Sequence, residues 1–212
     1  MKKMLMTAAV LACAASIVSA QTVASANIVG YNKMVNAGEF DIVAAQFDGG
    51  DNTLTGLFGD SLPEGSKIYK FSGGTYQIST YADVFISGVI WSPDFTLNQS
   101  ESFWVAATAT ATNIFSGEVE GADSVTNSVI PGFQMLAYPY PVQRSVEQLE
   151  FSPAEGDKIY KFSGGTYQIS TYADVFISGV IWSPSLTLEV GEGFWYDSLS
   201  GSSTDWIANK PF

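Results

Sequence analysis

The 212-residue chain carries 21 acidic against 9 basic residues, is 46% hydrophobic and 14% aromatic, and has one cysteine and no histidine. The hydrophobic content excludes a disordered chain, and the net charge of −12 sets the protein against nucleic acid and anionic membrane surfaces, which would repel it. Without histidine, Ser-His-Asp and Cys-His catalysis, imidazole acid/base chemistry and the usual zinc sites are removed.

The first twenty residues read as a signal peptide. Lys2 and Lys3 give a positive start, Met4 to Val18 an apolar run, and Val18-Ser19-Ala20 a small-residue cleavage site before Gln21; Ala24-Ser25-Ala26 offers a second cut. An alternative takes Val10-Leu11-Ala12-Cys13 as a lipoprotein box with Cys13 as the acylated residue. The apolar run is short for a membrane span and nothing later approaches one, so a mature chain with no transmembrane segment is expected. The expected location is outside the cytoplasm: extracellular, cell surface or periplasmic. Cleavage leaves no cysteine, so burial rather than disulfides must hold the exported chain together.

The next feature in chain order is a duplication. Lys67 to Pro93 and Lys158 to Pro184 are the same 27 residues, KIYKFSGGTYQISTYADVFISGVIWSP, at a spacing of 91. Fainter similarity flanks the block: GEFDIVAAQF (38–47) with PGFQMLAYPY (131–140), Leu54 and Leu57 with Val146 and Leu149, SFWV (102–105) with GFWY (193–196), and TNIF (112–115) with TDWI (204–207). The expected organisation is a signal peptide (1–20), one module (21–119) and its second copy (120–212). Selection on the block and recent copying of one DNA segment onto the other both account for the identity; copying is the favoured reading, so identity alone marks no functional site.

Short runs rich in Val, Ile, Tyr, Phe and Thr recur between Gly, Asn, Asp and Pro clusters, and no amphipathic helix of ten residues is visible. This pattern predicts an all-β protein of two tandem antiparallel β-sandwich or small-barrel modules. One short helical turn is expected at Thr53–Phe58 and another at Ser145–Leu149. If Gly73-Gly74 forms a two-residue turn, Ser72 faces Thr75, Phe71 faces Tyr76, Lys70 faces Gln77 and Tyr69 faces Ile78. One ribbon face then carries Tyr69, Phe71, Tyr76 and Ile78, and the repeat carries Tyr160, Phe162, Tyr167 and Ile169. These rings are expected to point into the core of their own module, with Lys70 and Lys161 on the opposite face.

FDIVAAQF, then IYKFSGGTYQIST, then Trp, then LEVGEGFWY (188–196) resembles a β-rich repeat module of secreted bacterial proteins, with an apolar strand, a Y-x-G-G-x-Y hairpin and an L-x-x-G-x-G-F-W strand. Leu188, Gly191, Gly193, Phe194 and Trp195 match the last element; Asn98, Ser100 and Ser102 replace Glu189, Gly191 and Gly193 in the first copy, which puts the tight turn there in doubt. The resemblance implies a surface or extracellular accessory role and no known activity.

Sites of chemistry are few. Gly191-Glu192-Gly193 runs into a strand rather than a helix, so it is no dinucleotide loop. Asp83 and Asp174 in YADVF are read as turn residues rather than a glycosidase pair. Asp48-Gly-Gly-Asp51-Asn52 lacks EF-hand spacing and its counterpart PVQR has no acid; it is read as an acidic turn, and no metal or cofactor is expected. Tyr81, Trp91, Tyr172 and Trp182 lie outside the Gly-Gly hairpin in both copies and are the candidate ligand-binding residues, as stacking platforms for sugar rings, with core packing as the competing role. The reading is a secreted or cell-envelope structural and interaction protein that is not an enzyme, with envelope or matrix proteins, or glycans, as partners. The alternative is a weak bivalent glycan-binding module.

Overall fold

The computed structural model describes residues 28–212, so the signal-peptide and Cys13 readings lie outside the described residues. Copy 1 runs through β1 (Val29–Ala37), β2 (Phe40–Ala44), β3 (Phe47–Asp48), α1 (Leu54–Phe58), β4 (Lys67–Ser72), β5 (Thr75–Asp83), β6 (Val89–Ser92), β7 (Ser102–Ala106) and β8 (Thr110–Val119). Copy 2 follows with β9 (Ser124–Val129), β10 (Gly132–Ala137), β11 (Arg144–Ser145), a 3-10 turn (Val146–Leu149), β12 (Lys158–Ser163), β13 (Thr166–Asp174), β14 (Val180–Ser183), β15 (Thr187–Leu188), β16 (Gly193–Ser198) and β17 (Thr204–Asn209). The protein is all-β, two tandem antiparallel sandwich modules.

Each module is built on one five-stranded sheet, in the order β2-β7-β4-β5-β6 in copy 1 and β10-β16-β12-β13-β14 in copy 2. The duplicated block supplies the last three strands. Its hairpin has the register that the Gly-Gly turn dictates, Tyr69 opposite Ile78 and Phe71 opposite Tyr76, with the same pairs 91 residues on. Gly73 and Gly74 have φ of 58° and 80°, the left-handed pair of a type I′ turn whose twist suits the strands it joins. Both short helical turns also form. Thr53 caps α1, its hydroxyl accepting from the Gly56 amide, and Ser145 with Gln148 makes a capping box in copy 2.

Two cores are separate in sequence. Residues 43–119 supply one, around Leu54, Phe58, Ile68, Trp91 and Phe103; residues 129–208 supply the other, around Tyr140, Leu149, Ile159, Phe194 and Trp206. On the far sides stand β1, β8 and β3 in copy 1 and β9 with β17 in copy 2. The TNIF and TDWI segments fall in these layers, one residue out of step with the expected match. Ile114 is exposed whereas Trp206 is buried, and Asn113 is the residue that shares the inward role. Asn113 Nδ2 donates to the Leu57 carbonyl at 3.2 Å, as Trp206 Nε1 donates to that of Leu149. A shift of one residue in a strand exchanges its faces, which is why the similarity misled.

The hairpin rings correct a second expectation. Ile68 on β4 and Tyr81 and Trp91 of β5 and β6 face the module's own core, so Tyr69, Phe71 and Tyr76 stand on the opposite face of the sheet. That face meets the other module. Ile42, Trp104, Met135 and Trp195 are buried there, with Tyr69, Phe71, Tyr160 and Phe162 packed half-buried around them. The contacts are reciprocal: Phe71 meets the edge of Trp195 with centroids 4.9 Å apart, and Phe162 meets Trp104 at 4.9 Å. Strands β2, β4 and β7 approach β10, β12 and β16 in symmetric pairs, so an approximate two-fold axis passes where β7 meets β16.

Lys70 and Lys161 are likewise held. Lys70 Nζ pairs with Glu101 and Lys161 Nζ with Glu192, both at 2.6 Å, and they also reach the carbonyls of Thr96 and Thr187. Each glutamate in turn accepts the amide at the start of the turn before β7 or β16, Asn98 or Glu189 at 2.8 Å. The tight turn doubted in copy 1 therefore forms, Ser100 taking φ 68° where Gly191 has 84°.

Candidate functional site

Trp91 and Trp182, two of the proposed sugar platforms, lie in the module cores at 2% and 6% exposure. Trp91 Nε1 donates to the Gly59 carbonyl at 3.1 Å. Tyr81 and Tyr172 are half-buried against them, with ring centroids 5.2 and 5.4 Å from their tryptophans. Cross-strand pairing turns both rings of each pair inward. Core packing is the role these four residues take.

The acidic turn is satisfied internally. Asp48 Oδ1 accepts from the Gly50 amide and Asn52 Nδ2, each at 2.9 Å, and Asp51 Oδ1 accepts from the Thr53 amide and hydroxyl. These hydrogen bonds hold both carboxylates below their ordinary range. Their work is to fix the chain entering α1.

Open aromatic surface lies elsewhere, on the face of each sheet that looks toward the other module. The sheets overlap mainly through three strands apiece, Tyr76 of β5 and Tyr167 of β13 reach across at the rim, and the rest of the hairpins β5-β6 and β13-β14 projects beyond the overlap. Their uncovered outer faces are apolar. Tyr76 and Ile78 are 46% exposed, and Tyr167 and Ile169 are comparably open. Beside them the sheet step forms two related grooves. One, of about 340 Å³, is lined by Phe40, Tyr69, Tyr76, Ile78 and Trp104. The other, of about 410 Å³, is lined by Phe71, Phe133, Tyr160, Tyr167, Ile169 and Trp195.

No charged side chain lines either groove. Burial raises the pKa of the Tyr76 and Tyr167 hydroxyls, so the rings stay neutral. Such a surface has neither a nucleophile nor an acid/base pair, and what it offers is ring faces and aliphatic area. Comparison with protein-family models, with curated protein sequences and with solved structures gives no match.

Beyond the grooves, each hairpin ends in a tip, Asp-Val-Phe-Ile-Ser-Gly, whose Phe85 and Ile86, or Phe176 and Ile177, are almost entirely in water. Phe85 and Phe176 have φ of 35° and 45°, at the edge of the left-handed region that bulky residues rarely enter. From the sequence alone the tip reads as a turn beside Asp83 and Asp174, both exposed at strand ends. The signal available in the sequence was an excess of apolar side chains. VFI stands where turn residues usually stand, and the hairpin carries aromatic side chains on both faces.

Proposed function

We propose that the chain is an exported structural and interaction protein of the cell envelope or extracellular matrix. It binds partners through two apolar faces and performs no catalysis. The observation that carries this reading is the duplicated uncovered face, Tyr76 and Ile78 in one copy and Tyr167 and Ile169 in the other, which places large apolar side chains in water outside both cores. Surface of this kind marks an interaction site when it is contiguous and uncharged. The signal-peptide pattern of residues 1–20 supports the location. A weak bivalent glycan-binding role is the alternative, and the grooves with Trp104 and Trp195 are where it would reside.

The test compares the native chain with Ile78→Arg/Ile169→Arg after expression and fractionation of the native host. The native chain should start at Gln21 or Asn27 and be retained in the envelope or matrix fraction. The double variant should be exported and folded but released. Retention of the variant at native levels, or recovery of the native chain from the cytoplasm with Met1 intact, would overturn the reading.

A further inference from the structure

We infer that the partner of these two faces is a second copy of the same chain, and that each molecule, carrying two such faces, assembles into open multimers. This rests on the interaction reading above and names its partner. The argument begins with the interface already present. Within one chain, the inner part of each sheet face is covered by the equivalent face of the other copy, hairpin rings against tryptophan edges: Phe71 and Tyr76 on Trp195, Phe162 and Tyr167 on Trp104. The uncovered part is continuous with it, since Tyr76 and Tyr167 belong to both. A surface whose chemistry already matches a copy of itself extends past the end of that match.

Size is adequate. Phe40 and Tyr76 are about half exposed and Phe85 fully so; at about 200 Å² per aromatic side chain these three leave about 400 Å² in water. Ile78, Ile86 and Ile90 of the same hairpin enlarge this toward the roughly 800 Å² that one partner contributes to a standard stable interface. The contact itself buries no like charges, because no acidic group lines either groove, and the net −12 that each copy carries repels only at longer range, where salt screens it. An anionic lipid surface would meet the same repulsion without offering matching ring faces. A sugar would find ring faces but few polar groups to fix it.

Strands β6 and β14 also end their sheets, with Ile90 and Ile181 on the outer face and an outer edge that no strand among the described residues pairs, which a second copy can meet. Two near-equivalent faces on one molecule propagate an assembly, whereas one would close it as a dimer.

The experiment measures the mass of the purified full chain by sedimentation and light scattering from nanomolar to high micromolar concentration, together with Ile78→Glu, Ile169→Glu and the double variant. The native chain should grow beyond a dimer with concentration, each single variant should stop at a dimer, and the double variant should stay monomeric with unchanged circular dichroism and Tm. Should these variants fail to fold, Ile90→Glu with Ile181→Glu, on the edge strands, provides the same readout. A native chain that remains monomeric throughout, or a folded double variant that multimerises like the native chain, would overturn the inference. So would a monomer that binds neutral phosphatidylcholine vesicles or a glycan array through these residues. A monomeric chain still retained in the envelope through Ile78 and Ile169 would refute self-docking and leave the interaction reading intact; release of neither variant would remove both.

Discussion

The two halves of the chain share 27 identical residues and differ where those residues are brought together. In copy 1 the Ser100 amide donates directly to the Ala45 carbonyl at 2.7 Å. The matching pair in copy 2, the Gly191 amide and the Tyr138 carbonyl, is bridged by an intruder from copy 1: Gln46 Oε1 accepts from Gly191 at 2.8 Å while its Nε2 donates to Tyr138 at 2.9 Å and to Tyr140 at 3.1 Å. Gln46 is 2% exposed, and its own counterpart is Pro139, which has no amide to offer in return. Similarly, a Cβ on Gly193 would lie 2.5 Å from that of Ser102, its counterpart across the axis. Residues related by an approximate two-fold compete for the same space at the axis. One of each pair must give way.

Inside the modules the difference is milder. Copy 2 buries Asp157, which accepts from the Tyr196 hydroxyl at 2.6 Å and the Leu199 amide at 2.7 Å. Copy 1 has Ser66 and Val105 at those places, the serine accepting only a 3.3 Å bond from the Thr108 amide. Burial and the Asp157 carboxylate together push the Tyr196 hydroxyl far above its ordinary pKa, so it remains a donor at any physiological pH. The identical block thus tolerates either a charged or a neutral support beneath it.

The strongest way to break the comparison is Gln46→Ala. It strands the Gly191 amide and two tyrosine carbonyls at a buried boundary, with a cost of about 1 to 3 kcal/mol per unsatisfied group, so chemical denaturation should show a loss of roughly 3 kcal/mol or more. A loss near zero would mean that water replaces the side chain. Next comes restoring the symmetry with Gly193→Ser. Overpacking against Ser102 and Ile42 should cost about 1 to 3 kcal/mol, while Ser102→Gly, which relaxes the same contact, should cost clearly less in the same melts. Equal costs would show that the close approach is not what sets the residue types.

A smaller effect tests sameness rather than difference. Lys70→Ala and Lys161→Ala each remove a partly buried pair and a carbonyl contact, worth about 1 to 2 kcal/mol, and the two losses should agree within error.

The smallest concerns Asp41, whose pKa is raised by burial and by Glu39 and Glu192 against a lowering hydrogen bond from Asn36. A raised carboxylate pKa means that the folded state holds the proton more tightly than the unfolded state, so stability falls as pH rises from the ordinary carboxylate value through the folded one. Asp41→Asn should therefore raise Tm at neutral pH, with the gain shrinking as pH falls toward that ordinary value. Copy 2 already carries the neutral Gln134 there. A gain independent of pH would refute the electrostatic cause.

Local features were readable from sequence because local chemistry determines them. The Gly-Gly pair sets the turn and hence every partner in the hairpin, and Thr53 and Ser145 announce their short helices as caps. Which side of the hairpin lies inside was not readable, since both sides are apolar: Ile68, Tyr81 and Trp91 on one, Tyr69, Phe71 and Tyr76 on the other. Periodicity tells that two faces differ but not which neighbour covers each. The candidate site inherited that ambiguity. Trp91 and Trp182 stand outside the Gly-Gly hairpin, a position that suits a platform as well as a core ring, and it is cross-strand pairing with Tyr81 and Tyr172 that carries them into the cores. The step between the sheets that opens the grooves is a property of module packing, and no window of sequence contains it.

The Gln46 bridge makes the difference between the copies physically meaningful. A pair of identical first copies would bring two such amides to one axis and offer Ser100, already bonded to Ala45, as the recipient; a pair of identical second copies would bring none. Only one copy of each kind presents one key and one lock. The duplicated protein is in this sense no longer a plain repeat: its halves have become unlike where they touch, and the turn of the second is completed by a side chain that only the first supplies.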